Sequence, residues 1–64
     1  GKVWQFLIDK EAFEEVLDKS LVVHNIQHDD RIQVRYISVE QPYPGAVRVE
    51  ANLEDAYLCL LKNI

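Results

Sequence analysis

The sequence predicts a small α+β domain: a four-stranded, mainly antiparallel sheet with two helices on one face, in the order β-α-β-β-β-α. Four short segments alternate apolar and polar residues, which is typical of half-buried strands. Two other segments carry apolar residues at helical spacing, and polar or proline-containing stretches separate the elements. With 64 residues, the chain has room for one domain and a modest core.

The first two predicted elements are a strand and a helix. Residues 3–8 are rich in aromatic and β-branched types, and their larger side chains alternate onto one face. Asp9 then supplies an N-cap oxygen for a helix over residues 10–19. The apolar stripe of this helix comprises Phe13, Val16 and Leu17. Its solvated acidic face comprises Glu11, Glu14, Glu15 and Asp18.

Three further strands are predicted before the second helix. Residues 21–26 indicate one strand, and residues 32–36 indicate the next, because apolar and polar side chains alternate there. The polar residues 28–30 between them are typical of a hairpin turn. Residues 42–45 contain two prolines and a glycine and predict a loop, after which residues 47–49 form a fourth short strand.

The second helix has the clearest signal in the chain. Asn52 is expected to cap it, and Glu54 and Asp55 in its first turn suit the positive end of the helix dipole. The predicted buried stripe comprises Leu53, Ala56, Tyr57, Leu60 and Leu61. Leu58 and Ile64 fall outside this stripe and are expected to pack against something else.

The composition of the chain argues against several classes of function. A net charge of −4 without clustered Lys and Arg argues against nucleic acid as a partner. The apolar runs are far shorter than the roughly 20 residues that span a bilayer, so we expect no direct membrane insertion. Two glycines cannot build a glycine-rich phosphate loop. The single cysteine, Cys59, fits a reducing cytosolic environment and is expected to be a small core residue.

The sequence contains no arrangement that indicates catalysis or metal binding. The best metal candidates are His24, His28, Asp29 and Asp30. A four-residue spacing brings two histidines together on a helix, whereas this segment is predicted as strand and turn. The candidate nucleophiles are Ser20, Ser38 and Cys59, and none has a glycine-framed turn or a base at a telling position. We therefore expect no catalytic, cofactor or metal site in these residues.

Three side chains are candidates for contact with a partner: Tyr43, Arg35 and Leu58. Tyr43 lies in a Pro-Tyr-Pro-Gly loop, which favours an exposed aromatic ring. Arg35 alternates onto the sheet face that points away from the helices, together with Val3, Leu7, Gln33 and Ile37. That mixed face is either solvated or rests on a neighbouring domain.

Three segments together resemble a known family. They are an opening Gly-x-Val-Trp, an Arg-Tyr-Ile-Ser strand leading to a proline-bearing loop with Gly-Ala, and a closing Val-Glu-Ala-Asn-Leu-Glu-Asp-Ala-Tyr-Leu-x-Leu-Leu. This pattern resembles the C-terminal domain of ATP-binding subunits of bacterial ABC transporters, closest to multidrug and antibiotic exporters. The resemblance covers nearly the whole chain, and residues 53–58 are its specific part. Ala51-Asn52 stands where Pro-Thr or Pro-Ser is usual, although Asn52 can cap the helix equally.

The resemblance implies that residues 1–64 are a single C-terminal accessory domain of a larger protein, with a nucleotide-binding domain before Gly1. ATP, Mg²⁺ and catalysis would belong to that domain, so no catalytic residue is carried over to this chain. The implied partners are the parent's nucleotide-binding domain, the transporter's membrane subunit and a second copy of the chain. The implied location is the cytoplasmic face of the cell membrane.

Two other interpretations stay open. The first is a small-molecule-sensing or protein-interaction module of ferredoxin-like type, in which strands pair across a dimer and hold an effector. A glycine-bearing turn between the first strand and the first helix would favour it, and the sequence has none there. The second, a free-standing enzyme, is disfavoured because no catalytic constellation is present.

Overall fold

The computed structural model describes residues 2–64 and shows a four-stranded sheet with a helix packed on each face. The elements are β1 Val3–Asp9, α1 Lys10–Val16, β2 Val22–His28, β3 Arg31–Ile37, β4 Val47–Val49 and α2 Leu53–Lys62. The strands lie in the order β2-β3-β1-β4, and every neighbouring pair is antiparallel. The α+β class, the antiparallel sheet and the predicted order of elements are therefore confirmed. Gly1 of the opening motif lies outside the described residues.

The main core lies between the sheet and α1. Strand β1 is central, and its register with β3 sets Trp4 opposite Tyr36, and Phe6 opposite Val34. All four side chains are buried. Strand alternation places them on the face that α1 covers. The full cluster is Trp4, Phe6, Ile8, Phe13, Leu17, Ile32, Val34, Tyr36 and Ala46.

Helix α1 is shorter than the predicted residues 10–19. It ends at Val16 because Leu17 turns to an extended conformation, with ψ 143°. The ammonium group of Lys19 then donates to the carbonyls of Phe13, Glu14 and Leu17, at 2.6, 3.1 and 3.3 Å. These bonds satisfy carbonyls that a continuing helix would have used. Val16 is 61% exposed, so its predicted place in the buried stripe is wrong.

The start of α1 also differs from the prediction. Asp9 occupies the N-cap position, but its side chain accepts no capping hydrogen bond. Its carboxylate instead lies 3.7 Å from Nε of Arg31, on the neighbouring strand β3. The backbone N–H of Lys10 donates to the carbonyl of Asp30 at 3.2 Å, which extends the β1–β3 ladder into the first residue of α1.

The loop before β4 folds back onto the core. The N–H of Ala46 donates to the carbonyl of Tyr43 at 3.0 Å, and Gly45 has φ 84°. A proline followed by a glycine at positive φ is typical of a type II turn. Tyr43 is half-buried and stacks on Phe6 with ring centroids 5.5 Å apart. The expectation that Tyr43 is displayed is therefore wrong, because the turn directs its ring inward.

Helix α2 does not pack on the same face of the sheet as α1. In β3, Arg35 lies between Val34 and Tyr36, which belong to the core under α1, so its side chain points to the opposite face. There it bonds Asp55 of α2. This corrects the predicted placement of both helices on one face. Phe13, Leu17 and Tyr43 already cover the first face, and an ion pair fixes α2 on the second.

The connection β1–α1–β2 is a split βαβ unit. Both β1 and β2 are antiparallel to β3, so they are parallel to each other with β3 between them. This is the strand arrangement of ferredoxin-like folds. The chain departs from that pattern at its end, because α2 follows β4 instead of preceding it.

Candidate interaction surface

A buried ion pair attaches α2 to the sheet. Nε of Arg35 lies 3.0 Å from Oδ1 and 3.1 Å from Oδ2 of Asp55, and its Nη2 lies 2.6 Å from Oδ2. The same Nη2 donates to the carbonyl of Glu50 at 2.9 Å. Asp55 is fully buried, and the Arg35 side chain is 14% exposed. Arg35 therefore holds both the helix and the segment that leads into it.

The same carboxylate caps the helix. The N–H of Asn52 donates to Oδ2 of Asp55 at 2.8 Å, and the N–H of Asp55 donates to Oδ1 of Asn52 at 2.9 Å. This reciprocal capping box satisfies two backbone donors at the helix start. The predicted Asn52 cap is confirmed. Asp55 thus connects the N-terminal cap of α2 to the side chain of Arg35 in β3.

We expect acid to weaken this attachment. The hydrogen bonds from Arg35 lower the pKa of Asp55, although burial acts in the opposite direction. A lowered folded-state pKa stabilises the fold fully above the unfolded value of about 3.9, and this stability is lost as the pH falls through the folded value. The urea midpoint should fall as the pH drops from about 5 toward 2. The double variant Arg35→Met with Asp55→Asn has no carboxylate at this position, so it should show a smaller drop over the same range.

Asp18 provides the control for this pH series. Hydrogen bonds from the side chain and backbone of Ser20 lower the pKa of Asp18, which lies at the surface. It therefore contributes acid dependence of the same sign, chiefly through Ser20, with a smaller contribution from the charge of Lys62 in α2. An Asp18→Asn variant removes that contribution. Acid dependence that vanishes in Asp18→Asn and persists in the double variant Arg35→Met with Asp55→Asn would contradict the assignment to Asp55.

The apolar stripe of α2 faces solvent. Leu53, Tyr57, Leu60 and Leu61 are 90%, 64%, 78% and 61% exposed. At 3.6 residues per turn, Leu53 and Tyr57 each lie about 160° around the helix from Asp55. The side that approaches the sheet carries Asp55 and the half-buried Leu58 and Cys59. The predicted burial of this stripe is therefore wrong, because the ion pair orients the helix with its apolar side outward.

A shallow groove on the second sheet face adds further apolar surface. It is lined by Gln5, Phe6, Leu7, Gln33, Gly45, Val47 and Val49. Leu7 is 51% exposed and Val47 is 63% exposed. The described residues thus present two apolar surfaces, the α2 stripe and this groove.

The three predicted contact residues do not form one surface. Arg35 is engaged with Asp55 and Glu50 inside the chain. Tyr43 packs on the core beneath α1, on the other face of the sheet. Leu58 is half-buried on the inner side of α2, as its position outside the stripe suggested.

The other polar candidates lie apart. Across residues 2–64, no group of three or more His, Cys, Asp or Glu side chains is placed to hold a metal ion. The hydroxyl of Ser20 donates to Oδ1 of Asp18 at 2.6 Å, within a local turn. The carbonyl of Ser38 accepts from Nε1 of Trp4 at 2.9 Å, and Cys59 is half-buried in α2.

Sequence reasoning missed the role of Asp55. Asp55 lies three residues after Asn52, the spacing of a capping box. An acidic residue is also favoured in the first turn of a helix, where it interacts with the positive end of the helix dipole. Nothing in the local pattern indicates that the carboxylate is buried. The available signal was Arg35, a charged residue in a strand whose alternation points it at the second face.

No helix within residues 2–64 is long and apolar enough to cross a membrane. No protein-family model, curated protein or solved structure matches the chain.

Proposed function

We propose that this chain is a non-catalytic accessory domain that binds a protein partner through the α2 stripe, defined as Leu53, Tyr57, Leu60 and Leu61. The observation that supports this proposal is the outward orientation of the stripe, which the Arg35–Asp55 pair holds in place. Large apolar side chains on one side of a helix are the anchors used when a helix docks into a groove of another protein. Exposed apolar surface of this kind marks interaction sites.

The chemistry of the surface suggests the character of the partner. The stripe requires an apolar groove of complementary shape, and Glu54 lies beside it in the first turn. The chain carries a net charge of −4, so basic residues around that groove would favour association. The resemblance to ABC transporter subunits supports one partner, the nucleotide-binding domain of the parent protein. The parent would then couple ATP hydrolysis to export, with this domain as a regulatory or stabilising part.

Two matched variants test this function. Leu61 in the stripe and Val16 on α1 are each 61% exposed, so Leu61→Glu and Val16→Glu add the same charge at equal exposure. The nucleotide-binding domain encoded in the same reading frame is produced separately, and calorimetry measures its affinity for residues 1–64. We expect Leu61→Glu to weaken binding about tenfold or more, because a buried leucine contributes about 1.5–3 kcal/mol. Val16→Glu should bind with the same affinity as the unsubstituted chain.

Equal affinities of the two variants would refute the role of the stripe. A reading frame that lacks a phosphate loop and an ABC signature beside this segment would refute the transporter assignment. The stripe could then still be tested against whichever domain the reading frame encodes.

A sensing module of ferredoxin-like type is the alternative function. The split βαβ unit and the groove beside Leu7 and Val47 favour it. Saturable micromolar binding of a small molecule by the isolated chain, lost in a Leu7→Glu variant, would support this alternative over the accessory domain.

A further inference from the structure

Strand β2 forms one edge of the sheet, and its outer side carries no neighbouring strand within residues 2–64. The strand is seven residues long, and residues 24–28 are all exposed. An unpaired edge of this length is a template for pairing with another strand.

The ladder register identifies the backbone groups that β2 offers for pairing. The N–H of Lys10 donates to the carbonyl of Asp30, so even-numbered residues of β3 direct their backbone groups toward β1. Odd-numbered residues of β3 therefore face β2, where they meet His28, Ile26 and His24. By alternation, the N–H and C=O groups of Asn25 and Gln27 point outward. Four backbone groups are thus free to pair along the edge.

The other edge of the sheet is better protected. Strand β4 has three residues, and its pairing with β1 through Val47 and Val49 leaves Arg48 as the outward position. A short strand with a charged residue at its centre is a common defence against edge pairing. By contrast, β2 contains no Asp, Glu, Lys or Arg from residue 22 to residue 28. Two chains that each carry a net charge of −4 would repel least along this neutral edge.

We infer that β2 pairs antiparallel with β2 of a second copy, about a two-fold axis at Ile26. In this register Asn25 of each copy exchanges both backbone hydrogen bonds with Gln27 of the other. The exposed Ile26 side chains of the two copies meet directly across the pair, and His24 of each copy lies opposite His28 of the other. The regular segment from His24 to His28 accommodates this pairing, because the irregularity in β2 lies before His24.

The pairing continues the sheet to eight strands. A two-fold axis perpendicular to the sheet leaves both copies of α1 on one face and both copies of α2 on the other. Since α2 approaches β2 as well as β3, the two α2 helices become neighbours across the axis. The interface is small, so the dimer is weak and depends on concentration.

Matched lysine variants test the pairing by sedimentation equilibrium from about 10 μM to about 1 mM chain. Ile26→Lys sets two ammonium groups together at the axis. Val47→Lys makes the same kind of change at a comparably exposed position on the same sheet face. We expect the unsubstituted chain and the Val47→Lys variant to dimerise in this range. The Ile26→Lys variant should dimerise roughly tenfold more weakly or not at all.

Amide hydrogen exchange of the unsubstituted chain gives a second measurement, which can be made even if the Ile26→Lys variant does not fold. The N–H groups of Asn25 and Gln27 should exchange more slowly at high than at low chain concentration, because the dimer protects them. A chain that stays monomeric up to about 1 mM overturns the inference. So does a dimer in which these two amides exchange equally at both concentrations, or one that Leu60→Lys in the α2 stripe dissociates and Ile26→Lys does not.

Discussion

Replacement of Arg35 by methionine is expected to lower the free energy of unfolding by about 3–5 kcal/mol, the usual cost of leaving one member of a buried ion pair alone. Arg35 supplies three hydrogen bonds to Asp55, which has no access to solvent. Methionine fills a similar volume but donates no hydrogen bond. A domain of this size has only a few kcal/mol of stability, so the change should detach α2 or unfold much of the chain.

Amide exchange distinguishes these two results, because detachment exposes the amides of α2 while those of β1 and β3 stay protected. Arg31→Met is the control, since Arg31 lies in the same strand and its pair with Asp9 is exposed. An exposed pair is worth about 0–1 kcal/mol. The double variant Arg35→Met with Asp55→Asn should recover part of the loss, because it leaves no buried charge. Equal stability of Arg35→Met and Arg31→Met would contradict this account of α2.

Truncation of Trp4 to alanine is expected to cost about 3–5 kcal/mol, in the range usual for a large buried aromatic residue. Trp4 is 8% exposed in the central strand, and its Nε1 donates to the carbonyl of Ser38. The guanidinium of Arg48 lies 5.0 Å from its ring. The variant therefore removes apolar packing, a hydrogen bond and a cation–π contact at the centre of the sheet.

Urea unfolding followed by circular dichroism measures this loss, because the variant lacks the only tryptophan of the chain. Leu60→Ala is the comparison. The sequence pattern predicts a similar cost for both truncations, whereas Leu60 is 78% exposed in α2, so its truncation should change stability by less than about 0.5 kcal/mol. A large loss from Leu60→Ala in dilute solution would mean that the stripe packs against this chain's own sheet.

The strands were predictable because their alternation has a period of only two residues, although it did not predict that Val3 and Ile37 on the second face are fully buried. The alternation of Trp4, Phe6 and Ile8 with Gln5 and Leu7 predicted correctly which side chains fill the main core. The hairpin turn, predicted over residues 28–30 and formed by Asp29 and Asp30, and the Asn52 cap were also predictable, since both depend on residues close together in the chain.

The placement of α2 was not predictable from its pattern. Helical periodicity shows that Leu53, Tyr57 and Leu60 share one side of the helix, but it does not say what that side contacts. The deciding interaction joins Asp55 to Arg35, and these residues are distant in sequence. A charged residue in a first turn looks like a solvated one until its partner is known. The same limit applies to Tyr43, whose inward position depends on the turn at Gly45.

The central position of β1 has a consequence for the order in which the chain folds. Val3 pairs with Ile37 on one side and with Val49 on the other, so β1, which precedes β2, β3 and β4 in the chain, is among the last of these four strands to be completed. The hairpin of β2 and β3 closes a two-residue turn and can form within microseconds. Strand β1 must wait for distant partners, and contacts of high sequence separation slow folding. During synthesis, the apolar side chains of β1 therefore stay uncovered until β3 has emerged, and its second edge stays open until β4 follows.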